Sequence, residues 1–274
     1  MPSSQFDLTG RVAVVTGGSG ALGSALARAL AAAGAAVGVL ARSADRVADT
    51  VAAAGANAFA LSADVLDRPQ LQRARDEVLE RHGRIDVLVN AAGGNAPEAT
   101  LDEGRTFFDL PADALRKVVD LNLFGTVLPC QVFGAAMVPR GASDDESRSI
   151  VNVSSMGAQR ALTRVVGYGS AKAAVDNFTR WLAVDCARNF GDRLRVNAIA
   201  PGFFVGDQNR ALLLDEAGDL TARGRTIVDH TPAGRFGEPD DLVTTLLWLC
   251  SPASRFVNGV VVPVDGGFGA FSGV

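Results

Sequence analysis

The stretch VAVVTGGSGALG, residues 12–23, joins a short apolar run to a glycine-rich turn, and an alanine-rich segment of helical periodicity follows it. An apolar run of this length predicts a strand that is buried on both faces. Glycines in the turn let the backbone approach a pyrophosphate, and the N-terminus of the next helix offers unpaired N–H groups. Any tight turn can use glycine, so the position between a strand and a helix is what favours a dinucleotide site.

Further apolar runs of strand length follow this stretch and alternate with segments of helical periodicity. Such alternation requires right-handed crossovers, which place parallel strands in one sheet with helices on both faces. The sequence predicts an α/β fold with a doubly wound, Rossmann-type parallel sheet of about seven strands. The predicted strands are Val12–Thr16, Ala36–Ala41, Ala58–Ala63, Ile85–Asn90, Ile150–Ser154, Leu194–Ala200 and Val260–Val264. The predicted helices include Leu22–Ala33, Gln70–His82, Ala114–Met137, Ala171–Asn189 and Asp240–Cys250.

Length and composition indicate the class of protein. The 274 residues are 48% hydrophobic and 20% charged, as in a packed globular chain, and we expect one domain over 1–274. The net charge of −4 favours a small-molecule partner over nucleic acid. No secretory signal is recognisable, and no segment approaches the roughly 18 apolar residues of a membrane span. We therefore expect a cytoplasmic protein with no nucleic-acid and no membrane partner.

Segment 203–237 breaks the alternation and contains five glycines, which predicts a substrate lid over the carboxyl ends of the strands. Cysteine and histidine usage argues against a metal. Cys130, Cys186 and Cys250 lie far apart in apolar patterns, so we expect buried free thiols. The chain has only two histidines, so no metal site is expected.

The end of the second predicted strand bears on the choice of dinucleotide. A site that prefers NAD normally presents a carboxylate to the ribose hydroxyls at this point. Here the chain has Ala41, Arg42 and Ser43. A guanidinium and a hydroxyl can bind a 2′-phosphate that no carboxylate repels, so the pattern favours NADP(H), with NAD(H) as the alternative. Arg42 could also be an ordinary solvated loop residue.

The spacing of Tyr168 and Lys172 is the strongest indication of catalysis. Residues four apart share a helix face, so the phenol and the ammonium can project into one pocket. A cation near a phenol favours the phenolate, and we expect the tyrosine pKa to be lowered toward the working range of an acid/base. Tyr168 is the only tyrosine, and Lys117 is the only other lysine, so a chance pairing at this spacing is a poor explanation.

Two polar residues accompany this pair. Ser155 follows a predicted strand, where its hydroxyl can donate to a carbonyl oxygen as charge develops on it. Ser154 is its competitor, but neighbours along a strand point in opposite directions, and the spacing to the tyrosine favours Ser155. Asn122 lies in an otherwise apolar helix, where it either bonds locally or anchors a water chain to Lys172.

Together these residues resemble the short-chain dehydrogenase/reductase family of classical type, over almost the whole chain. The resemblance implies that Asn122, Ser155, Tyr168 and Lys172 are a catalytic tetrad. The family pattern departs at Ala21, Ala91 and Gly206, where a glycine, an asparagine and a threonine are usual. The resemblance and the crevice chemistry together give the expected cofactor-binding residues: Gly17, Ser19, Gly20, Leu22, Gly23, Arg42, Ser43, Asp64, Val65, Asn90, Ala91, Gly93, Tyr168, Lys172, Pro201 and Gly202.

Four stretches, GGNAPEAT, PGFFVGDQNRALL, HTPAGRFGEP and VVPVDGGFGAFSGV, resemble the branch of this family that acts on D-fructuronate and D-mannonate. That resemblance implies interconversion of a keto sugar acid and its hydroxy acid. Each polar candidate for the substrate could instead be an ordinary exposed loop residue. The candidates are Asn95, Ser155, Arg160, Gln208, Asn209 and Arg210.

Three alternatives remain at this stage. A 3-oxoacyl thioester reductase or another alcohol dehydrogenase of the same family would differ only in the lid and the substrate pocket. A non-catalytic nucleotide sensor would keep the fold, although the presence of both Tyr168 and Lys172 speaks against it.

The helical segments carry surplus apolar residues, including Phe124, Phe178 and Trp181, and family members pair such helices, so we expect a homotetramer.

Overall fold

The structure is a computed structural model that describes residues 5–102, 104–138, 147–206 and 209–273. Apolar runs form a sheet of seven strands, as predicted, and the predicted ends differ from the observed ones by at most two residues. The strands are β1 Val12–Thr16, β2 Ala36–Ala41, β3 Ala58–Ser62, β4 Val87–Asn90, β5 Arg148–Val153, β6 Leu194–Pro201 and β7 Val261–Val264.

The order of the strands creates the crevice that positions the site. All neighbouring strands are parallel, in the order β3-β2-β1-β4-β5-β6-β7. The chain therefore changes its winding direction between β3 and β4, which brings β1 and β4 side by side. In open α/β sheets, ligands bind outside the carboxyl ends of the strands at such a switch point. The doubly wound parallel fold predicted from the sequence is confirmed.

Helices cover both faces of the sheet, because the apolar side of each strand must be buried. The described part of the chain contains the following α-helices: α1 Ala21–Ala32, α2 Ala48–Ala54, α3 Arg68–His82, α4 Ala112–Val119, α5 Gly125–Met137, α6 Val166–Phe190, α7 Arg210–Leu213, α8 Ala222–Asp229 and α9 Val243–Cys250.

Two apolar cores lie on opposite faces of the sheet. In β1, Ala13 and Val15 point into the core shared with α1 and α9, whereas Val12 and Val14 point into the core shared with α3, α5 and α6. Burial of each Val or Leu side chain contributes about 1.5–3 kcal/mol, so the strand ends that carry the site are firmly held. The cysteines are buried and free, as predicted.

The predicted helix Ala114–Met137 is interrupted at its centre by a π-helical turn over Asp120–Phe124, between α4 and α5. The Gly125 N–H donates to the Asp120 carbonyl, one residue further back than in an α-helix. The wider turn places Asn122 so that its side-chain Nδ2 donates to the Val118 carbonyl at 2.8 Å. This polar side chain is therefore compatible with an apolar helix because it satisfies a backbone group.

The same helical run contradicts one expectation about membrane spans. In Ala112–Met137 an 18-residue window has a mean hydropathy of 1.4, which by length and composition is enough to cross a membrane. Half of that window is buried inside the protein, and Phe133 and Met137 lie in the core beneath the sheet. A helix that packs against a sheet needs such an apolar face.

Candidate functional site

The glycine-rich turn after β1 leaves no room for side chains. Gly17 has a φ of +68°, and a Cβ there would lie 2.6 Å from the Ala92 nitrogen after β4. A Cβ on Gly23 would lie 2.3 Å from the Gly17 carbonyl oxygen. Gly20 precedes α1 and no side chain caps the helix, so the N-terminus of α1 can bind an anion. Ser19 is exposed and Leu22 is half-buried in the same turn.

The turns after β2 and β3 border the predicted adenosine side. Ala41 is buried at the end of β2, Arg42 is exposed and Ser43 is half-buried. Asp64 shapes its own turn, since its carboxylate accepts the Leu66 N–H at 2.9 Å. Val65 beside it is buried. No carboxylate therefore stands among the residues where β2 ends.

Asn90 ends β4 and is buried between strands. Its Nδ2 donates to Asn152 Oδ1 at 2.9 Å and to Cys130 Sγ at 3.1 Å, which ties β4 to β5. Ala91 follows, and its backbone lies against Gly17. The neighbouring strands β1, β4 and β5 thus hold the crevice in shape through both backbone and side-chain contacts.

Gly93 lies where the loop after β4 meets the predicted tetrad. A Cβ at this position would lie 2.6 Å from Asn122 Oδ1 and 3.2 Å from Lys172 Nζ. Asn122 itself is fully buried, its Oδ1 accepts the Gly94 N–H at 3.1 Å, and its Nδ2 donates to the Gly94 carbonyl at 2.7 Å. Asn122 thus bonds both to Val118 in its own helix and to the loop after β4, which it holds beside Lys172.

Ser155 and Tyr168 meet at the carboxyl end of β5. The Ser155 side chain lies close enough to the Tyr168 hydroxyl to oppose a rise in the tyrosine pKa, and its Oγ accepts the Gly157 N–H at 3.1 Å. Tyr168 lies in the first turns of α6 and packs beside Ala99, Ala114 and neighbouring apolar residues. Lys172 Nζ lies 5.7 Å from the centre of the Tyr168 ring. The structure therefore brings together the serine, the tyrosine and the lysine.

The electrostatics of this cluster differ from the sequence expectation. Burial raises the pKa of Tyr168, and the nearby Ser155 side chain only partly opposes this. Lys172 Nζ donates to the Val153 carbonyl at 2.7 Å, and no charge effect of Lys172 on the Tyr168 pKa opposes the burial of the phenol. Burial lowers the pKa of Lys172 to about 8, although the charge of Asp176 opposes the shift. The phenol is thus held protonated, and the lysine titrates near neutral pH.

Ser154 points away from Tyr168, as expected for the neighbour of Ser155. Its hydroxyl donates to Asp176 Oδ1 on α6. Asp176 is buried, and desolvation raises the pKa of its carboxyl group. This buried carboxylate one turn after Lys172 was missed by the sequence analysis, although its place at i+4 from the lysine was visible.

The predicted substrate residues are mostly engaged within the protein. Asn209 accepts the Gly206 N–H at 2.8 Å and donates to the Phe204 carbonyl at 2.9 Å, so it shapes its own loop. Arg160 Nε donates to the Gly269 carbonyl at 2.9 Å. Arg210 is exposed at the start of α7, and Gln208 lies outside the described residues.

Asn95 is the substrate candidate that keeps a free atom. Its Nδ2 donates to Thr100 Oγ1 at 2.6 Å, while its Oδ1 is buried without a hydrogen-bond partner in the described chain. Two arginines that the sequence analysis did not consider, Arg164 and Arg223, also lie near this side of the site. Only tertiary packing brings them together.

Pro201 and Gly202 end β6 against the carboxyl end of β7. A Cβ on Gly202 would lie 2.7 Å from the Asp265 Cα, so a glycine is required for this close approach. The crevice thus has a glycine cradle at β1, tight loops after β4 and β6, and a protonated phenol at β5. These features fit a dinucleotide whose pyrophosphate lies on α1.

Comparison with known proteins agrees with this geometry. A family model described as enoyl-(acyl carrier protein) reductase matches residues 18–269. The oxidoreductase UxuB of Bacillus subtilis (strain 168), described as uncharacterized, is 46% identical over 280 residues and covers 98% of each chain.

Two solved structures are similar over their whole length. A proposed D-mannonate oxidoreductase from Haemophilus influenza with bound NAD is 41% identical, with 98% of each chain covered and a TM-score of 0.89. A gluconate 5-dehydrogenase from Burkholderia cenocepacia J2315 in complex with NADP and tartrate is 32% identical, with 97% of this chain and 98% of that chain covered and a TM-score of 0.84. The chain therefore belongs to the short-chain dehydrogenase/reductase family, an enzyme family of oxidoreductases that act on alcohol groups with NAD(P)(H).

Proposed function

We propose that this protein is an NADP(H)-preferring oxidoreductase that interconverts a keto sugar acid and its hydroxy acid, with D-fructuronate and D-mannonate as the substrate pair. The observation that carries the proposal is the cluster at the end of β5, where Ser155 lies close enough to act on the pKa of a protonated Tyr168 phenol and Lys172 Nζ lies 5.7 Å from the tyrosine ring. The similarity to the Haemophilus protein and the gluconate 5-dehydrogenase supports a sugar acid as substrate.

In the proposed mechanism, the nicotinamide supplies or accepts the hydride. Tyr168 donates its phenolic proton to the substrate oxygen during reduction and takes it back during oxidation. Ser155 donates a hydrogen bond to the same oxygen, where charge develops in the transition state. Lys172 binds the ribose side of the cofactor, and Asn122 positions the loop at Gly93 and Gly94 beside it.

The remaining cofactor contacts are proposed from position. Gly17 and Gly23 leave the space that the pyrophosphate requires, and the exposed Arg42 with Ser43 would bind a 2′-phosphate. NADP is present in the Burkholderia structure and NAD in the Haemophilus structure, so the preference is a property to measure. The other residues proposed to line the cofactor are Ser19, Gly20, Leu22, Asp64, Val65, Asn90, Ala91, Pro201 and Gly202.

We further propose a single cytoplasmic domain with 203–237 as its lid, assembled as a homotetramer. Exposed apolar side chains on the outer helices support the assembly: Phe124 is 47% and Trp181 is 62% exposed. Val184, next to Trp181 on α6, lines a surface groove of about 440 Å³ with Asn258 and Gly259. Buried in a subunit interface, these groups would be removed from water.

Steady-state kinetics test the function. The enzyme is assayed with NADPH and with NADH against D-fructuronate, 5-keto-D-gluconate and an acetoacetyl thioester. The proposal expects the highest kcat/KM with fructuronate and NADPH. Preference for the thioester would assign the chain to fatty-acyl chemistry, and cofactor binding without turnover of any substrate would indicate a nucleotide sensor.

A further inference from the structure

Two arginines, Arg164 and Arg223, interact through their charges near the loop that leads to Tyr168. Arg164 belongs to the connection that leads from Ser155 at the end of β5 to Tyr168 in α6. Arg223 belongs to α8, within segment 203–237. Burial lowers the pKa of Arg223 and the charge of Arg164 lowers it further, so the two guanidinium groups are within electrostatic range of each other. Helix α8 therefore brings the Arg223 charge within electrostatic range of the loop between the serine and the tyrosine.

Arg164 carries two unfavourable features that nothing in the described chain offsets. Its φ of +81° makes it the one non-glycine residue in the left-handed region among the described residues. Its Nε is buried without a hydrogen-bond partner. Backbone strain and unsatisfied buried donors persist mainly where function requires them.

The position of Arg164 is fixed by the opposite wall of the site. Its carbonyl accepts the Leu101 N–H at 2.9 Å, which joins its loop to the loop after β4. That second loop contains Asn95, whose buried Oδ1 also has no partner in the described chain. An unpaired donor with a positive charge and an unpaired acceptor thus lie on two loops that one hydrogen bond holds together.

We propose that Arg164 and Arg223 form the carboxylate-binding site for the acid end of the substrate. The inference rests on the proposed function, because it supplies the residues that recognise a sugar acid. A carboxylate between two guanidinium groups relieves their repulsion and gives Arg164 Nε its acceptor. Asn95 Oδ1 accepts from a substrate hydroxyl. The 2′-phosphate of the cofactor is a different ligand, because it would lie at the end of β2, whereas these arginines follow β5.

The test compares a hydroxy acid with its uncharged amide. D-mannonate and D-mannonamide keep the same hydroxyls, so the ratio of their kcat/KM values reports the carboxylate alone. R164M and R223M are compared with R225M, which removes an exposed arginine of the same helix. Methionine keeps a long apolar stem, and at position 164 it keeps the same backbone strain.

We expect the acid-to-amide ratio to fall about 10- to 100-fold in R164M and in R223M, in line with a charge-assisted hydrogen bond. R225M should keep the wild-type ratio, and the Kd for NADPH should stay within twofold in all variants. Removing one of two like charges should also leave Tm unchanged or raise it. A purely structural role would instead lower Tm and leave the ratio unchanged, which would overturn the inference.

Failure of the proposed carboxylate-binding site and failure of the proposed function are distinguishable. If the wild type oxidises another hydroxy acid in place of mannonate, the substrate assignment fails, and the acid-to-amide ratio of that compound tests the arginines. If mannonate is the substrate and both variants keep the wild-type acid-to-amide ratio, only the proposed carboxylate-binding site is wrong. If neutral alcohols are oxidised as well as acids, both are wrong.

Discussion

Replacing Lys172 by methionine should stop turnover and, at neutral pH, leave the fold as stable as before or more stable. Lys172 is 3% exposed, and burial lowers its pKa from 10.5 to about 8. One pKa unit is about 1.36 kcal/mol, so keeping the ammonium charged in the folded state costs about 3 kcal/mol. Methionine removes that cost but leaves the Val153 carbonyl without its donor, which costs about 1–3 kcal/mol.

The pH dependence separates these two contributions. Because the folded pKa of Lys172 is below the unfolded value, the unfolded chain binds more protons between pH 8 and 10.5, and wild-type stability rises with pH there. From pH 7 to pH 10 this gain is about 2.5 kcal/mol. K172M has no such group, whereas the cost of the unpaired carbonyl is the same at both pH values. K172M should therefore become less stable relative to wild type as the pH rises.

Urea unfolding of wild type and K172M at pH 7 and pH 10 measures this difference directly. K117M is the matched control, because Lys117 is the other lysine of the chain and is exposed on α4. Its stability should stay within about 0.5 kcal/mol of wild type at both pH values. If the free energies of unfolding of K172M and wild type differ by the same amount at pH 7 and at pH 10, the reasoning about the buried ammonium is refuted.

Two further predictions separate catalysis and cofactor binding from stability. S155A should lower kcat about 10²- to 10³-fold, and loss of the bond to the Gly157 N–H should cost about 0.5–2 kcal/mol of stability. S154A removes the Ser154 donor from Asp176, which should cost about 1–3 kcal/mol of stability with a much smaller effect on kcat. Equal kinetic losses in the two variants would contradict the assignment. G23A should weaken NADPH binding at least tenfold, because its Cβ would lie 2.3 Å from the Gly17 carbonyl oxygen. The control G134A should bind NADPH as wild type does, because its Cβ would meet Ile150 at an ordinary 3.6 Å. Equal Kd values for the two variants, measured by fluorescence titration, would show that the turn tolerates a side chain.

The sheet could be predicted from sequence because its central strands β1, β4, β5 and β6 are buried on both faces. Such strands are continuous apolar runs, and Val12–Thr16 and Ala36–Ala41 were predicted with the observed ends. Parallel strands bring their carboxyl ends to one edge, so the proximity of Ser155 and Tyr168 followed from where the runs end. Alternation along a strand also separated Ser154 from Ser155, because it depends only on local geometry.

What the sequence did not predict depends on tertiary contacts. The π-helical turn at Asp120–Phe124 is invisible to helical periodicity, which cannot show one wider turn. Asn209 and Arg160 have the right chemistry for a substrate, but each is engaged with the backbone. Arg164 and Arg223 are far apart in the chain and meet only through the packing of α8.

The direction of the Tyr168 pKa shift was wrong for a similar reason. The spacing places Lys172 on the same helix face, but it does not show that both the phenol and the ammonium are buried. Burial of the phenol then determines the direction. A protonated tyrosine suits donation of a proton to a carbonyl substrate near neutral pH.

The central claim is that the Tyr168 phenol transfers the proton in this crevice, and Y168F tests it most directly. The substitution removes one oxygen and keeps the ring in its apolar surroundings. We expect kcat for fructuronate reduction to fall at least 10²-fold, while the Kd for NADPH changes less than threefold. A Y168F enzyme that keeps kcat within threefold of wild type would contradict the account.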